Sequence, residues 1–155
     1  MDKLLLEEYK SLIKGIKYEA TILAQTAAFI YRKIDDISWA GFYIVGEECL
    51  YLSSYQGEIA CEALPFDKGV CAKSYRDDKT IIVNNVHEFS SHIACDALTN
   101  SELVIPIHKN NKIYGVLDLD SYKLNRFDED IVNFFNELSI ELEKALKEIK
   151  WWKKK

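Results

Sequence analysis

The sequence predicts an α+β fold in which N- and C-terminal helices flank a central antiparallel sheet. Apolar residues recur every three or four positions from 4 to 33 and again after 125, the period of a helix with one buried face. Between these segments the chain consists of short runs rich in β-branched and aromatic residues, which favour strands. Because no linker or low-complexity segment interrupts the 155 residues, we expect residues 1–155 to form a single domain.

The N-terminal helical segment is predicted to divide into two helices at Gly15, since glycine is a poor helix former. A short helix is expected after Gly69, in the segment GVCAKSYRDD. The last helix is predicted to begin with Asn125 as its N-cap, with Asp128 favouring the helix N-terminus. The predicted strands are ISWAGFYIV, CLYLSSY, TIIV, ELVIPIH and KIYGVLDLD.

Charge and hydropathy exclude several classes of protein. The net charge of -5 and the pI near 5.3 give no overall positive field to attract nucleic acid. The N-terminal leucines are interrupted by Glu7 and Glu8, so that the apolar run is too short for a secretory signal or a membrane span. We therefore expect a cytoplasmic protein without a membrane partner, and the C-terminal WWKKK is weak support for a membrane or subunit contact.

The four cysteines are expected to be thiols in a reducing compartment. None occurs in a Cys-x-x-Cys pair, and their spacings differ from those of zinc ribbons and fingers, so no metal site is predicted. Cys49 is assigned to the core as a small apolar residue. A zinc site remains an alternative, and its ligands would be Cys61, Cys71, Cys95 and His92.

The segment 84–100 has no clear periodicity, and loops of this length in compact domains are usually functional or disordered. It contains Cys95, His87 and His92. His92 could act as a base three residues before Cys95, but the pattern favours a solvated loop histidine.

The final two strands are predicted to place acidic residues on one face of the sheet. Side chains alternate along a strand, and the odd-numbered positions from Leu103 to Leu119, including Ile113, are the most uniformly apolar, so that this face should pack under helices. A three-residue loop at 109–111 keeps the odd residues on one face and sets Glu102 opposite Asp118. Asp120 then follows on the same face.

Three clustered carboxylates repel one another unless a cation or shared protons offset the charge, so that this face predicts a binding site. The alternative is that this face is exposed to solvent and that the acids only make it hydrophilic, without forming a site. Val104, Pro106 and Val116 on the same face indicate that something covers it.

Four segments, in order and spacing, resemble the free methionine-(R)-sulfoxide reductases, enzymes built on a GAF domain. They are SWAGFYIV, YQGEIACEALPFDKGVCAKSY, VHEFSSHIACDALTNSELVIPI and GVLDLDS, and together they extend from about residue 37 to 121. The resemblance implies a GAF-like fold and thiol-dependent reduction of free L-methionine-(R)-sulfoxide. It also implies thioredoxin as the reductant, no cofactor and a homodimer.

Individual residues of this sequence match functional residues of the family. Cys95 matches the nucleophile and Cys61 the resolving thiol, while Cys71 matches a third cysteine of auxiliary role. The substrate-binding residues implied by the family are the acids Glu102, Asp118 and Asp120 and the aromatic residues Trp39 and Tyr43.

Elementary chemistry adds expected roles for these groups. A thiolate must attack the sulfoxide sulfur while an acid protonates the oxygen, and among the clustered carboxylates we favour Glu102 as that acid. The other carboxylates would hold the substrate ammonium. Backbone N–H groups around Lys68, Gly69 and Val70, at a helix N-terminus, would hold its carboxylate. The sulfenic acid left on the nucleophile would condense with a second thiol. A non-catalytic GAF domain that senses a small molecule is the alternative function.

Overall fold

The computed structural model describes residues 3–149, and its α+β architecture confirms the predicted fold class. The six strands form one antiparallel sheet in the order β3-β2-β1-β6-β5-β4. The terminal WWKKK lies outside the described residues. The elements in chain order are α1 Lys3–Ile13, α2 Glu19–Lys33, β1 Trp39–Val45, β2 Leu50–Gly57, β3 Ala63–Leu64, α3 Val70–Asp77, β4 Ile81–Val83, a 3₁₀ turn Val86–Glu88, β5 Ser101–Lys109, β6 Lys112–Ser121 and α4 Glu129–Glu148.

The sheet separates two apolar clusters. Helices α1, α2 and α4 cover one face, where Leu103, Leu117 and Leu119 are fully buried beneath them, as the alternation predicts. Helix α3 and the loop 84–100 cover the other face, on which Val104 and Val116 are also fully buried. The second face is therefore enclosed, and the alternative of a solvated acidic face is wrong.

The β5–β6 hairpin differs from the predicted register. Its turn has two residues, Asn110 and Asn111, both with positive φ, as a tight hairpin turn requires. Such a turn alone would rotate the side chains of β6 to the wrong face. An extra residue, Tyr114, bulges out of β6 opposite the step from Ile107 to His108 and restores the face.

The bulge changes which carboxylates lie opposite each other. Glu102 pairs with Asp120, and Asp118 pairs with Val104, so that the predicted pairing of Glu102 with Asp118 is wrong although the shared face is right. The bulge also places Tyr114 rather than the preceding isoleucine against the helix-covered cluster.

Two predicted local features are also corrected. Helix α4 begins after Asp128, whose carboxylate accepts the N–H of Ile131 at 3.0 Å, whereas Asn125 lies outside the helix with φ 57°. Cys49 lies half-buried in the β1–β2 turn, where its carbonyl accepts the N–H of Gly46, and it belongs to neither apolar cluster. The predicted division near Gly15 is confirmed.

Between residues 3 and 149, the structure contains no helix of the length and hydropathy needed to cross a membrane.

His108 joins three elements on the surface of the fold. Its Nε2 lies 2.6 Å from Asp78 at the end of α3, and its Nδ1 lies 2.7 Å from Glu143 on α4. Partial burial alone would lower the pKa of His108, but the two carboxylates outweigh it, and the pKa is raised. The pairs therefore contribute full stability below the unfolded-state pKa and lose it as the pH rises through the folded-state pKa.

We expect His108→Gln to lower the free energy of unfolding more at about pH 6 than at about pH 9, because only the protonated imidazole gains from both carboxylates. Denaturant titrations at the two pH values measure this difference. His87→Gln, at an exposed loop histidine, is the matched control. An equal decrease in the free energy of unfolding at both pH values for His108→Gln would contradict the raised pKa of His108.

Candidate active site

A pocket lies between the second face of the sheet, helix α3 and the loop 84–100. The sequence-predicted site residues lie on its wall, apart from Cys61, which is bonded to one of them. The predicted residues that line it are Trp39, Tyr43, Lys68, Gly69, Val70, Cys71, Cys95, Glu102, Asp118 and Asp120.

Cys61 and Cys95 form a disulfide that links the segment after β2 to the loop 84–100, with Cα atoms 5.5 Å apart. The pair is the one that the family resemblance implies. Because both sulfurs are bonded, they cannot serve as zinc thiolates in this disulfide form. Cys71 is a free, buried thiol on α3, and burial raises its pKa, with nearby carboxylates adding to the effect.

The three acids lie on β5 and β6, with Glu102 and Asp118 buried and Asp120 half-buried. Glu102 and Asp118 are each 6% exposed, and within the described residues Asp118 Oδ1 and Asp120 Oδ1 have no hydrogen-bond partner. Burial, followed by the charge of Asp120, raises the pKa of Glu102 to about 8. Burial and neighbouring carboxylates also raise the pKa of Asp118 and Asp120 well above the usual range. The cluster therefore retains protons near neutral pH and can accept a cation.

The sulfur of Cys71 and one carboxylate oxygen each of Glu102 and Asp118, all potential metal-ligand atoms, lie within 4.8 Å of one another. That spacing suits a small cation, and an ammonium group and a metal ion are both compatible with it. The unpartnered carboxylate oxygens next to this group favour a ligand that donates several hydrogen bonds, as an ammonium does.

Trp39 and Tyr43 form the aromatic wall of the pocket, with ring centroids 5.9 Å apart. The Tyr43 hydroxyl donates to the carbonyl of Cys61 at 2.8 Å and so ties the disulfide to β1. Gly41 lies between the two aromatic residues, and a Cβ there would approach Cβ of Tyr55 to 2.4 Å. Only glycine allows this packing, which holds the wall in place.

The N-terminus of α3 opens onto the pocket. Gly69 has φ 96° and precedes the first helical residue, Val70, and its N–H donates to Ser91 Oγ at 3.4 Å. Lys68 also lines the pocket. The backbone N–H groups predicted to hold a carboxylate are thus at the pocket wall, where the helix end favours negative charge.

His92 lies inside the pocket, with Nε2 3.5 Å from Oε1 of Glu102. The interpretation as a solvated loop histidine is therefore wrong. The sequence signal was its position three residues before Cys95, which was too weak to decide the matter. His87, the other histidine of the loop, is turned outward to Asn100.

Comparisons with known proteins agree with this geometry. A family model described as GAF domain matches residues 19–147. The free methionine-R-sulfoxide reductase of Escherichia coli (strain K12) is 39% identical over 139 residues, which are 90% of this chain and 84% of the relative.

Two solved structures are similar throughout. The reduced form of fRMsr of Staphylococcus aureus superposes with a TM-score of 0.89 at 38% identity, covering 92% of this chain and 93% of that chain. The free methionine-R-sulfoxide reductase from Neisseria meningitidis, in complex with its substrate, has a TM-score of 0.90 at 34% identity, covering 94% and 88%.

Proposed function

The chain belongs to the GAF-domain family of free methionine-R-sulfoxide reductases, and from this premise we propose that it reduces free L-methionine-(R)-sulfoxide to methionine with electrons from thiols. The observation that carries the proposal is the Cys61–Cys95 disulfide at a pocket whose wall holds buried acids with unpartnered oxygens. Binding of a small molecule by a non-catalytic sensor does not itself require a disulfide at the pocket.

The first step transfers oxygen from the substrate to Cys95. The thiolate of Cys95 attacks the sulfoxide sulfur, and the carboxyl group of Glu102 gives a proton to the oxygen, because an oxide ion is a poor leaving group. The bond formed between Cys95 Sγ and the substrate sulfur then breaks together with the sulfur–oxygen bond as the protonated oxygen moves to Cys95 Sγ, so that methionine leaves and Cys95 becomes a sulfenic acid. The pKa of Glu102, raised to about 8 by burial, supports it as the donor near neutral pH.

The substrate is recognised as a free amino acid. Asp118 and Asp120 hold its ammonium through the oxygens that otherwise lack partners. The backbone N–H groups of Lys68 and Val70, on either side of the Gly69 N–H that donates to Ser91 Oγ, hold its carboxylate, and Trp39 packs against its methyl group. A pocket built for a free ammonium excludes methionine within a peptide, since the buried acids would be left unpaired.

The second step releases water and forms the disulfide. The thiol of Cys61 attacks the sulfenic sulfur of Cys95, and the sulfenic oxygen leaves as water. A protein dithiol of the thioredoxin type, in the cytoplasm, then reduces the disulfide. Cys71 remains a thiol throughout this cycle and contacts the carboxylate cluster. We also propose a homodimer, on the family resemblance alone.

We expect Cys61→Ser to release one equivalent of methionine rapidly and then to stall, because the sulfenic acid on Cys95 has no partner thiol. Rapid-quench measurement without added dithiol gives the burst, and mass spectrometry after trapping with a sulfenic-acid reagent identifies the modified residue. Cys49→Ser is the control, since this thiol lies in the β1–β2 turn. A Cys71–Cys95 disulfide as the main product in the unmodified enzyme would contradict the assigned pair.

Blocking the amine tests the proposed recognition. We expect N-acetyl methionine sulfoxide to have a kcat/KM at least about 100-fold below that of the free amino acid, because it leaves the buried carboxylates without an ammonium. Steady-state assays of both compounds with the same dithiol measure the ratio. Comparable turnover of the two compounds would show that the acids do not bind the substrate ammonium group.

A further inference from the structure

His92 is placed where it can act on the acid of the proposed reaction. Its Nε2 lies 3.5 Å from Glu102 Oε1, with the side chains 14% and 8% exposed. All three histidines of the sequence lie in the described residues, and of these His92 alone is found on the pocket wall. The His92 imidazole, which can gain and lose a proton near neutral pH, therefore lies next to the buried carboxyl group of Glu102.

The loop holds His92 in this position through its neighbours. Ser91 accepts the N–H of Gly69, and Ile93 packs so closely on Gly69 that an added Cβ would lie 3.1 Å from Cδ1. The N–H of His92 itself donates to the carbonyl of Phe89 at 3.1 Å. Contacts on both sides and at its own backbone therefore fix the backbone of His92 beside the pocket, and the imidazole extends from it to Glu102.

Proton balance requires a route back to Glu102. Each transfer of oxygen to Cys95 consumes one proton from the Glu102 carboxyl and leaves a carboxylate beside Asp118 and Asp120. A buried carboxylate in that position is costly until it regains a proton. The next turnover therefore depends on a group that can carry a proton from the pocket mouth to Glu102.

We propose that His92 is a positioning residue for Glu102, which holds the carboxyl toward the substrate oxygen and returns a proton to it from water after each turnover. The inference rests on the proposed function. In the return step a hydronium ion or a buffer acid at the pocket mouth protonates the imidazole and leaves as water or the buffer base. The imidazolium then passes a proton to the Glu102 carboxylate, and no bond between heavy atoms changes.

The groups around His92 fit this role. Glu102 faces it from β5, Asp118 from β6, and the thiol of Cys71 on α3 lines the same pocket. Burial lowers the pKa of His92, and the charge of Asp118 opposes that effect only in part. The imidazole is therefore neutral at rest, and an imidazolium formed transiently gives its proton readily to the Glu102 carboxylate, whose pKa burial raises to about 8.

The test compares His92→Gln and His92→Ala with the wild type in steady-state assays with saturating dithiothreitol. We expect kcat to fall about 10- to 100-fold while the KM for the sulfoxide stays within about twofold, since proton delivery changes but substrate contacts do not. Added imidazole should restore at least about half of the lost rate in His92→Ala, and if it acts as a proton carrier the rescue should vary with the pKa of substituted imidazoles of similar size. His87→Gln, on the same loop but outside the pocket, is the matched control and should be unaffected.

Two results would overturn the inference. Activity of His92→Gln within about twofold of the wild type would mean that no proton carrier is needed there. A loss in His92→Ala that imidazole does not relieve would assign His92 a packing role alone. Failure of the proposed function is distinguishable, because the wild type itself would then leave free methionine-(R)-sulfoxide unreduced.

Discussion

Cys95→Ser is expected to abolish reduction of free methionine-(R)-sulfoxide, with kcat lowered by at least about 1,000-fold. A serine hydroxyl has an ordinary pKa far above that of a thiol and is a poor nucleophile toward sulfur. It also cannot hold a sulfenic oxygen or form the bond to Cys61. The assay is methionine production by amino-acid analysis with dithiothreitol as the reductant.

The control for this variant is binding. Cys95→Ser leaves Trp39, Asp118 and Asp120 in place, so that free methionine sulfoxide should still bind and raise the thermal midpoint of the variant. Retained binding with no turnover separates the loss of chemistry from the loss of fold. Steady-state activity near that of the wild type would show that another group is the nucleophile.

Glu102→Gln is expected to lower kcat by about 100- to 10,000-fold, because the amide cannot give a proton to the sulfoxide oxygen. In the wild type, kcat/KM should fall as the pH rises through about 8, where burial has placed the pKa of Glu102. The variant should lack this dependence. Rate measurements across the pH range give both results.

Asp118→Asn provides the contrast for Glu102→Gln. This substitution removes charge that holds the ammonium, so that KM should rise at least as strongly as kcat falls. The opposite split, with kcat lost in Asp118→Asn and KM raised in Glu102→Gln, would exchange the roles of the two acids.

Stability supplies a second control for Glu102→Gln. The raised pKa means that folded protein binds a proton that the unfolded chain has released, so that stability falls with rising pH between the unfolded-state pKa and about 8. The neutral amide removes this loss. Glu102→Gln should therefore be no less stable than the wild type near pH 8, and a large destabilisation there would contradict the assigned pKa.

The helices α1, α2 and α4 were predictable because their apolar periodicity is long, and five strands were predictable from runs of β-branched and aromatic residues. The sixth strand, β3, was missed because two residues are too few to form a pattern. Successive side chains of β5 and β6 lie on alternate faces as predicted, and the shared face of Glu102, Asp118 and Asp120 was predicted correctly. The pairing of the acids was not, because it depends on the bulge at Tyr114, which compensates for the two-residue turn. No residue pattern distinguishes that combination from a longer loop, as both keep the same face inward.

The loop 84–100 shows the other limit of sequence reasoning. Its cysteine was identified through the family resemblance, but the burial of His92 depends on contacts that Ser91 and Ile93 make with Gly69, more than twenty residues earlier in the chain. Local sequence contains no sign of these contacts. The start of α4 was misplaced for a simpler reason, because Asn125 and Asp128 are both good N-caps and only the latter is followed by helix.

The most direct test of the proposed activity is a single assay of the purified wild-type protein with a mixture of the (R)- and (S)-sulfoxides of free L-methionine and excess dithiothreitol. We expect methionine to accumulate until the (R)-sulfoxide is consumed and the (S)-sulfoxide to remain. Chromatography that separates the two diastereomers measures both. A protein that yields no methionine from either epimer, with its Cys61–Cys95 bond reduced at the start, would contradict the account.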